Sequence, residues 1–197
     1  MDRDSPPLIL GSASPRRADL LAQLDISFTV LAADIDETPI PGEAAVDYVQ
    51  RMAREKAAAL SARRSPRCGD VLLTADTTVV LDGVSFGKPR DAQDARQMLE
   101  SLSGRRHDVY TALCVCQGAQ SEGRLVHTAV EFTALTPALI NAYLATDEPW
   151  DKAGAYALQG RGGSFVRRID GSVTNVIGLP LVETRELLAL FGVAGHA

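Results

Sequence analysis

The sequence Gly11-Ser12-Ala13-Ser14-Pro15-Arg16-Arg17 decides how the chain begins to fold, because it separates a short apolar run from a helical leucine pattern. We interpret it as the end of a strand, a polar loop and the start of a helix. Ser14 is a typical N-cap residue, and Pro15 suits the first helical position, where no amide donor is needed. Arg16 and Arg17 are then expected in the first helical turn.

Two arginines in a first helical turn lie at the end of the helix dipole that already carries positive potential. A bound anion would compensate that potential, and helix amides, serine hydroxyls and guanidinium groups together are typical of a phosphate site. An ordinary strand-to-helix connection with solvated arginines fits the same residues equally well. Other parts of the chain therefore have to distinguish the two interpretations.

The overall composition predicts one folded domain and argues against one class of partner. With 197 residues and no repeat, low-complexity stretch or linker, the chain is expected to form a single domain over 1–197. Its formal net charge of -5 argues against a basic nucleic-acid-binding surface, so we expect no nucleic acid partner. A local basic pocket remains compatible with that charge.

Cysteine usage and hydropathy indicate a reduced protein of the cytoplasm. The three cysteines and three histidines are too few and too scattered for a zinc site of recognisable spacing. Cys114 and Cys116 lie two apart in an apolar run, which predicts reduced core residues on one strand face. Residues 2–4 are charged, no apolar signal region follows them, and no later run is long enough to span a bilayer. We therefore expect a cytoplasmic protein without a membrane partner.

A lysine on an apolar helix face and a carboxylate at a strand end form a second candidate feature. The apolar stripe of a helix predicted over 43–63 places Lys56 along its inward side, either at the edge of the stripe or directed into a cleft. A strand predicted over 71–75 ends at Asp76, and a carboxylate there is costly to bury unless it is paired, hydrogen-bonded or metal-bound. Strand ends are also where α/β sheets commonly bind ligands.

The remaining elements follow from local patterns. An acidic cluster at 34–37 ends a short strand predicted over 28–33. Lys88 lies in a stiff loop that contains glycine and proline. Two interpretations fit this lysine: a residue held toward a ligand, and an ordinary surface lysine. We also predict a hairpin turn at Asp82-Gly83, a helix capped by Asp91, strands over 107–116 and 125–135, a helix from Pro137, two strands joined at Asp170-Gly171, and a terminal helix opened by Pro180.

Polar residues from separate segments suit phosphoryl or nucleotidyl chemistry when they are taken together. Carboxylates hold hard divalent cations such as magnesium, while lysines and arginines bind polyphosphate oxygens. A glycine-rich stretch around Gln159 favours backbone close to a ligand, although a surface loop is the common alternative. The sequence has neither the Walker A pattern nor a credible Ser/His/Asp triad. The charged candidates are Glu37, Asp76, Arg16, Arg17, Lys56 and Lys88.

Six motifs, in the expected order along nearly the whole chain, resemble the Maf family of nucleoside triphosphate pyrophosphatases. Because several separate motifs agree, the resemblance is specific. The motifs are Ser12-Ala-Ser-Pro-Arg-Arg17, Arg54-Glu-Lys-Ala57, Ala75-Asp-Thr77, Gly87-Lys-Pro-Arg-Asp91, Asp151-Lys-Ala-Gly-Ala-Tyr156 and Gly178-Leu-Pro-Leu181.

The resemblance implies an enzyme that hydrolyses a nucleoside triphosphate between the α- and β-phosphates with a divalent metal cation (Mg²⁺, Mn²⁺ or Co²⁺). The implied products are a nucleoside monophosphate and pyrophosphate. The implied fold is α/β, with an elongated mixed β-sheet flanked by helices and two lobes around a central cleft, similar to inosine triphosphatase. Members of the family are often homodimers.

The resemblance also implies roles for individual residues. Asp76 falls on the position of the catalytic base or metal-organising carboxylate, and Glu37 on a position that assists at the metal. Lys56 and Lys88 fall on catalytic positions that handle the phosphates. Ser12 and Arg17 fall on positions that bind the same phosphates.

Three further positions distinguish two branches of the family. Arg16, Thr77 and Gln159 resemble the branch that acts on dTTP and UTP, whereas the branch that acts on 7-methyl-GTP has tryptophan, glutamine and glutamate there. A glutamine amide offers both a donor and an acceptor to a pyrimidine edge. The alternatives that stay open are hydrolysis of 7-methyl-GTP or CTP, and a nucleotide-binding regulator of cell division that senses the nucleotide without hydrolysing it.

Overall fold

A mixed seven-stranded sheet flanked by helices forms the framework of the chain, which confirms the expected fold class. The computed structural model describes residues 6–63 and 69–194. The strands are β1 (Leu8–Leu10), β2 (Phe28–Val30), β3 (Val71–Leu81), β4 (Val84–Phe86), β5 (Arg106–Gln117), β6 (Gln120–Phe132) and β7 (Val166–Asp170). The helices are α1 (Pro15–Ala22), α2 (Ala45–Arg63), α3 (Ala92–Leu102), α4 (Pro137–Leu144), α5 (Val173–Ile177) and α6 (Leu181–Leu190), with 3₁₀ turns at Ala153–Ala155 and Arg161–Phe165. The sheet order is β2-β1-β3-β5-β6-β7, with β4 paired to β3.

The buried strand β1 and the glycine that follows it fix the start of the fold. β1 pairs in parallel with β2 on one side and with β3 on the other, so both of its edges are hydrogen-bonded. A side chain at Gly11 would approach Leu60 and Thr74 to 2.5 and 2.6 Å, because α2 and β3 pass close to the backbone here. Only glycine fits at this exit from the strand.

Helix α1 begins at Pro15, as predicted, and Ser14 occupies its N-cap position with extended backbone. The capping interaction differs from the usual one, because within the described part of the chain the Ser14 side chain makes no cap hydrogen bond. Instead, the Ser14 amide donates to Ser12 Oγ at 3.1 Å. The loop therefore organises its polar groups around Ser12.

The described residues divide into two compact units, and strands β3, β5 and β6 contribute residues to both. Within residues 6–63 and 69–194, no helix combines the length and the apolar character needed to cross a membrane. The first unit comprises residues 6–63, 69–76, 111–126 and 178–194, and the second unit comprises residues 77–110 and 127–177.

The cysteines predicted to be reduced lie on β5. Cys114 is buried, Cys116 is partly buried, and both are free thiols, as predicted. Burial raises the pKa of the Cys116 thiol, which keeps it protonated and unreactive near neutral pH. Cys68 lies outside the described residues.

Four strand predictions were wrong in part. The strand predicted over 71–75 continues through Asp76 to Leu81, and the strand predicted over 125–135 runs over Gln120–Phe132 instead. The strand predicted over 28–33 ends at Val30, and the segment after Gly171 forms helix α5 rather than a second strand. A side-chain hydrogen bond explains why this segment is helical. Ser172 Oγ accepts the backbone N–H of Asn175 at 3.2 Å, as the side chain of an N-cap residue does. The Asn175 side chain then donates to Thr128 Oγ1 at 2.9 Å, a contact between segments that β-propensity cannot indicate.

The core of the second unit is aromatic and includes one histidine. His107 is 1% exposed, and its ring contacts Phe132 and Tyr156 edge-on. Its Nε2 lies 3.0 Å from the Tyr156 hydroxyl, whereas Nδ1 is buried and lacks a hydrogen-bond partner among the described residues. Burial lowers the pKa of His107 to about 4, because the charged ring would lose its hydration.

We expect acid to destabilise the protein through His107. Since an unfolded histidine has a pKa of about 6.5, the unfolded chain binds a proton between pH 6.5 and 4 that the folded chain excludes. The contribution of His107 to the free energy of unfolding is therefore fully present above about pH 6.5 and falls by about 3 kcal/mol as the pH drops toward 4. Urea unfolding across this pH range measures the slope of the free energy of unfolding against pH. His107→Gln should flatten this slope, and an unchanged slope in that variant would contradict the assignment.

Candidate functional site

The first unit brings Glu37, Lys56 and Asp76 into direct contact. Lys56 Nζ lies 2.7 Å from Glu37 Oε1 and 2.6 Å from Asp76 Oδ1. Lys56 and Asp76 are each only 8% exposed, whereas half of the Glu37 side chain faces solvent. One ammonium group thus joins a buried carboxylate to an accessible one, and we call these three residues the carboxylate–lysine cluster.

Packing between α2 and β3 explains why Lys56 meets Asp76. Lys56 lies among the buried residues of α2, as its position on the apolar stripe predicts. Thr74 lies two residues before Asp76 and so on the same strand face, and its hydroxyl donates to the Ala53 carbonyl at 2.7 Å. Ala53 precedes Lys56 by less than one helical turn. The hydrogen bond therefore fixes where Lys56 lies along the length of β3, next to Asp76.

The loop that carries Glu37 is held to α2 by two residues that sequence reasoning missed. The Tyr48 hydroxyl donates to the Glu37 carbonyl at 3.0 Å. Arg51 donates to the Thr38 carbonyl at 3.2 Å and binds both oxygens of Glu43 at 2.7 Å. Burial, helped by nearby carboxylates, raises the pKa of Tyr48 to about 12, so the hydroxyl remains a donor.

A sequence signal for Tyr48 does exist. It precedes Lys56 by eight residues, a spacing that places both side chains on one face of a helix. The partner of Tyr48 is a carbonyl in an irregular loop, however, and no periodicity indicates where such a carbonyl lies.

Ser12 and Arg17 are in contact at the start of α1, where both were expected to bind phosphate. Arg17 Nε donates to the Gly178 carbonyl at 2.8 Å, and its Nη1 lies 3.3 Å from Ser12 Oγ. Burial lowers the pKa of Arg17, and the Asp76 and Glu37 carboxylates oppose that shift. The guanidinium group stays charged, as arginine does in proteins. Arg16, its neighbour in the first turn, is half-buried.

The second unit carries the other three predicted residues, on separate segments. Thr77 is half-buried on β3, Lys88 is exposed in the loop between β4 and α3, and Gln159 is exposed between the two 3₁₀ turns. The Gly87 carbonyl accepts the Gly154 amide at 3.1 Å, which ties the Lys88 loop to the segment that leads to Gln159.

The carboxylate–lysine cluster has donors that suit a hard divalent cation. Mg²⁺ in proteins is usually held by one or two carboxylates, with waters and substrate phosphates completing its shell. Glu37 and Asp76 supply two carboxylates within reach of the same ammonium nitrogen. No group of three potential His, Cys, Asp or Glu ligands occurs in the described ranges 6–63 and 69–194. A cation at Glu37 and Asp76 would therefore take its other ligands from water or substrate.

Comparison with known proteins covers almost the full length of the chain. A dTTP/UTP pyrophosphatase of Myxococcus xanthus is 54% identical over 192 residues, which cover 98% of this chain and 96% of that protein. A dTTP/UTP pyrophosphatase of Anaeromyxobacter dehalogenans (strain 2CP-1) is 53% identical over 192 residues, or 95% of each chain. One of Pseudoalteromonas atlantica is 50% identical over 188 residues, or 95% of this chain and 98% of that protein.

Further comparisons match the chain to solved structures and to a family profile over most of its length. The Staphylococcus aureus Ham1 protein aligns with a TM-score of 0.48 and 13% identity over 93% of this chain and 97% of that chain. The profile of the Maf-like proteins matches residues 7–191. With that match and with full-length relatives at about half identity, the chain belongs to the Maf-like protein family.

Proposed function

We propose that this protein is a nucleoside triphosphate pyrophosphatase that hydrolyses dTTP and UTP between the α- and β-phosphates. The products are the nucleoside monophosphate and pyrophosphate. The observation that carries the proposal is the carboxylate–lysine cluster, in a chain 53–54% identical over nearly its whole length to proteins named dTTP/UTP pyrophosphatase. Two carboxylates and a lysine in contact suit an attack of water on a phosphate that carries several negative charges.

Asp76 is the residue that we propose as the base for the attacking water. Lys56 donates to Oδ1, so the proton from the water is accepted at Oδ2. Lys56 also holds Glu37, which keeps the two carboxylates close to each other. A divalent cation (Mg²⁺, Mn²⁺ or Co²⁺) bound by Glu37 and Asp76 would neutralise phosphate charge and lower the pKa of water.

Cationic and hydroxyl groups are proposed to bind the triphosphate. The Gly178 carbonyl occupies Arg17 Nε and thereby orients the guanidinium plane, while Nη1 lies next to Ser12 Oγ. A guanidinium group in a fixed orientation binds phosphate oxygens with little further loss of side-chain entropy. Lys88 is exposed on a loop that contains glycine and proline, and we propose that it binds the phosphates as a point charge.

Three residues are proposed to select the base, namely Arg16, Thr77 and Gln159. The exposed Gln159 amide can donate to a pyrimidine carbonyl and accept from the N3–H of thymine or uracil. A carboxylate at this position would accept only, and would face a carbonyl without a donor. Thymine and uracil share this edge, which agrees with acceptance of both dTTP and UTP.

Gln159→Glu should weaken the use of UTP and dTTP by about 1–3 kcal/mol, or roughly 5- to 150-fold in kcat/KM, because a hydrogen-bond donor to the base is lost. Steady-state kinetics with both nucleotides measures the effect. Gln97→Glu makes the same change on the exposed face of α3 and should leave the kinetics unchanged. Equal kinetics for Gln159→Glu and the wild type would refute the proposed contact with the base.

A nucleotide panel with product identification tests the function itself. The wild-type protein with Mg²⁺, Mn²⁺ or Co²⁺ should release pyrophosphate, and the kcat/KM values for dTTP and UTP should exceed those for CTP, GTP and 7-methyl-GTP. A higher kcat/KM for 7-methyl-GTP or CTP would move the protein to another substrate class. Binding without hydrolysis of any nucleotide would favour a regulator that senses nucleotides. We further propose a cytoplasmic homodimer, and sedimentation equilibrium tests its stoichiometry.

A further inference from the structure

We infer that Glu148 is a positioning residue that fixes the backbone of residues 157–163 and thereby sets the base selectivity exerted by Gln159. We call residues 157–163 the Gln159 loop. The inference rests on the proposed function, because it assigns a role within the same base-selecting site. Glu148 lies in the turn after α4, outside the motifs that carry the family resemblance.

Both oxygens of the Glu148 carboxylate bind the backbone of the Gln159 loop. Oε1 accepts the Arg161 amide at 2.8 Å, and Oε2 accepts the Gly162 amide at 3.3 Å. These backbone hydrogen bonds, that of Arg161 foremost, hold the pKa of Glu148 below its usual range. The carboxylate is therefore ionised near neutral pH, and its hydrogen bonds are of the stronger, charge-assisted kind.

The glycine next to Gln159 is matched to this carboxylate. A Cβ atom at Gly160 would overlap the carboxylate oxygens of Glu148 and lie 2.5 Å from Cδ. The φ angle of Gly160 is -121°, a value open to any residue, so close approach rather than backbone conformation requires glycine here. The absence of a side chain at Gly160 therefore lets the Glu148 carboxylate lie against the loop backbone.

Tyr143 provides a second anchor at the start of the loop. Its hydroxyl accepts the Ala157 amide at 3.0 Å, and a Cβ atom at Gly162 would lie 2.9 Å from the same oxygen. The loop is thus held at Ala157 by Tyr143 and at Arg161 by Glu148, with Gln159 midway between the two anchors. Gln159 itself is exposed, so a fixed backbone presents its amide to a ligand.

Glu148 is inferred to act on the substrate through the loop, because both of its oxygens accept backbone amides of that loop. Its loss should consequently affect the part of the substrate that Gln159 contacts and spare the phosphates. Precise placement of a contacting group matters for selectivity, since a shift of about 1 Å is enough to lose a directed hydrogen bond.

Glu148→Gln is the first test, because it preserves size but places an amide donor against a backbone donor. We expect KM for UTP to rise and the ratio of kcat/KM for UTP over GTP to fall by about tenfold. The inhibition constant of inorganic pyrophosphate, which has no base, should stay within about twofold of wild type. Glu100→Gln, the same change at an exposed position of α3, should alter neither value. Equal selectivity in Glu148→Gln and Glu100→Gln would overturn the inference.

A double-mutant cycle with Gln159→Ala separates positioning from general destabilisation. If Glu148 acts through Gln159, adding Glu148→Gln to Gln159→Ala should lower the UTP over GTP ratio by less than about twofold further. If the two substitutions lower the UTP over GTP ratio by independent factors that multiply in the double variant, the proposal is overturned. It is also overturned if the inhibition constant of pyrophosphate rises together with the loss of selectivity.

Gly160→Ala keeps the inference testable if Glu148→Gln folds poorly. Its methyl group should displace the Glu148 carboxylate and reproduce the loss of selectivity, and wild-type selectivity in this variant would overturn the proposal. A wild-type protein that hydrolyses no nucleotide would refute the proposed function instead. The positioning role would then be measured as the ratio of UTP to GTP dissociation constants in the same variants.

Discussion

Asp76→Asn is expected to lower kcat for dTTP and UTP by about a thousandfold or more while leaving the protein folded. An amide cannot accept the proton of the attacking water, and general-base catalysis alone is worth about 10²- to 10⁴-fold. It is also a poorer ligand than a carboxylate for a hard cation. The fold should persist, because asparagine has the same shape and its Oδ1 can still accept from Lys56 Nζ, as Asp76 does at 2.6 Å.

Pyrophosphate release under single-turnover conditions measures the chemical step of Asp76→Asn directly. Thermal unfolding and nucleotide binding by the same preparation show whether the variant is folded and still takes up substrate. Asp34→Asn is a nearby control, since Asp34 is highly exposed and forms only a 3.6 Å ion pair with Arg63 in the described chain. Turnover of Asp76→Asn within about tenfold of wild type would refute the role of the carboxylate as base.

Local patterns in the sequence predicted the elements that carry the carboxylate–lysine cluster. The apolar stripe of α2 placed Lys56 on the inward face, since a period of 3.6 residues leaves no other place for it. Asp76 lies within the long strand β3 rather than at its end, and it is only 8% exposed. The sequence indicated that a carboxylate buried here needs a partner, and Lys56 at 2.6 Å is that partner. Both predictions depend only on neighbours along the chain.

Contacts between distant segments account for what the sequence did not reveal. The hydrogen bond from Tyr48 to the Glu37 carbonyl depends on the path of an irregular loop. Helix α5 is stabilised by hydrogen bonds from the Asn175 side chain to Val109 on β5 and Thr128 on β6, although the residues of this segment have high β-propensity. Glu148 has an ordinary position in a turn, and its importance emerges only when the loop folds onto it. Residue patterns thus predict where a side chain points better than they predict what it meets.

Lys56→Met should lower both stability and turnover, and the loss of stability is the second large effect that we expect. Asp76 would remain in its buried position without the ammonium partner at 2.6 Å. Leaving one member of a buried ion pair uncompensated costs about 3–5 kcal/mol, and methionine keeps the apolar volume of the lysine stem. The exposed Glu37 should add little, because water solvates it. Urea unfolding gives the free energy difference, and Lys88→Met at an exposed position should unfold as the wild type does.

The double variant Lys56→Met/Asp76→Asn separates the structural from the catalytic effect of the lysine. Removing the Asp76 charge also removes the uncompensated buried carboxylate, so the double variant should regain most of the stability lost in Lys56→Met. It should not regain turnover, because both the base and the ammonium group that holds Glu37 and Asp76 together are absent. If Lys56→Met is as stable as the wild type, or if the stability losses of the two single variants simply add, then Lys56 does not compensate Asp76. The proximity of the two carboxylates would then need an explanation other than their shared lysine.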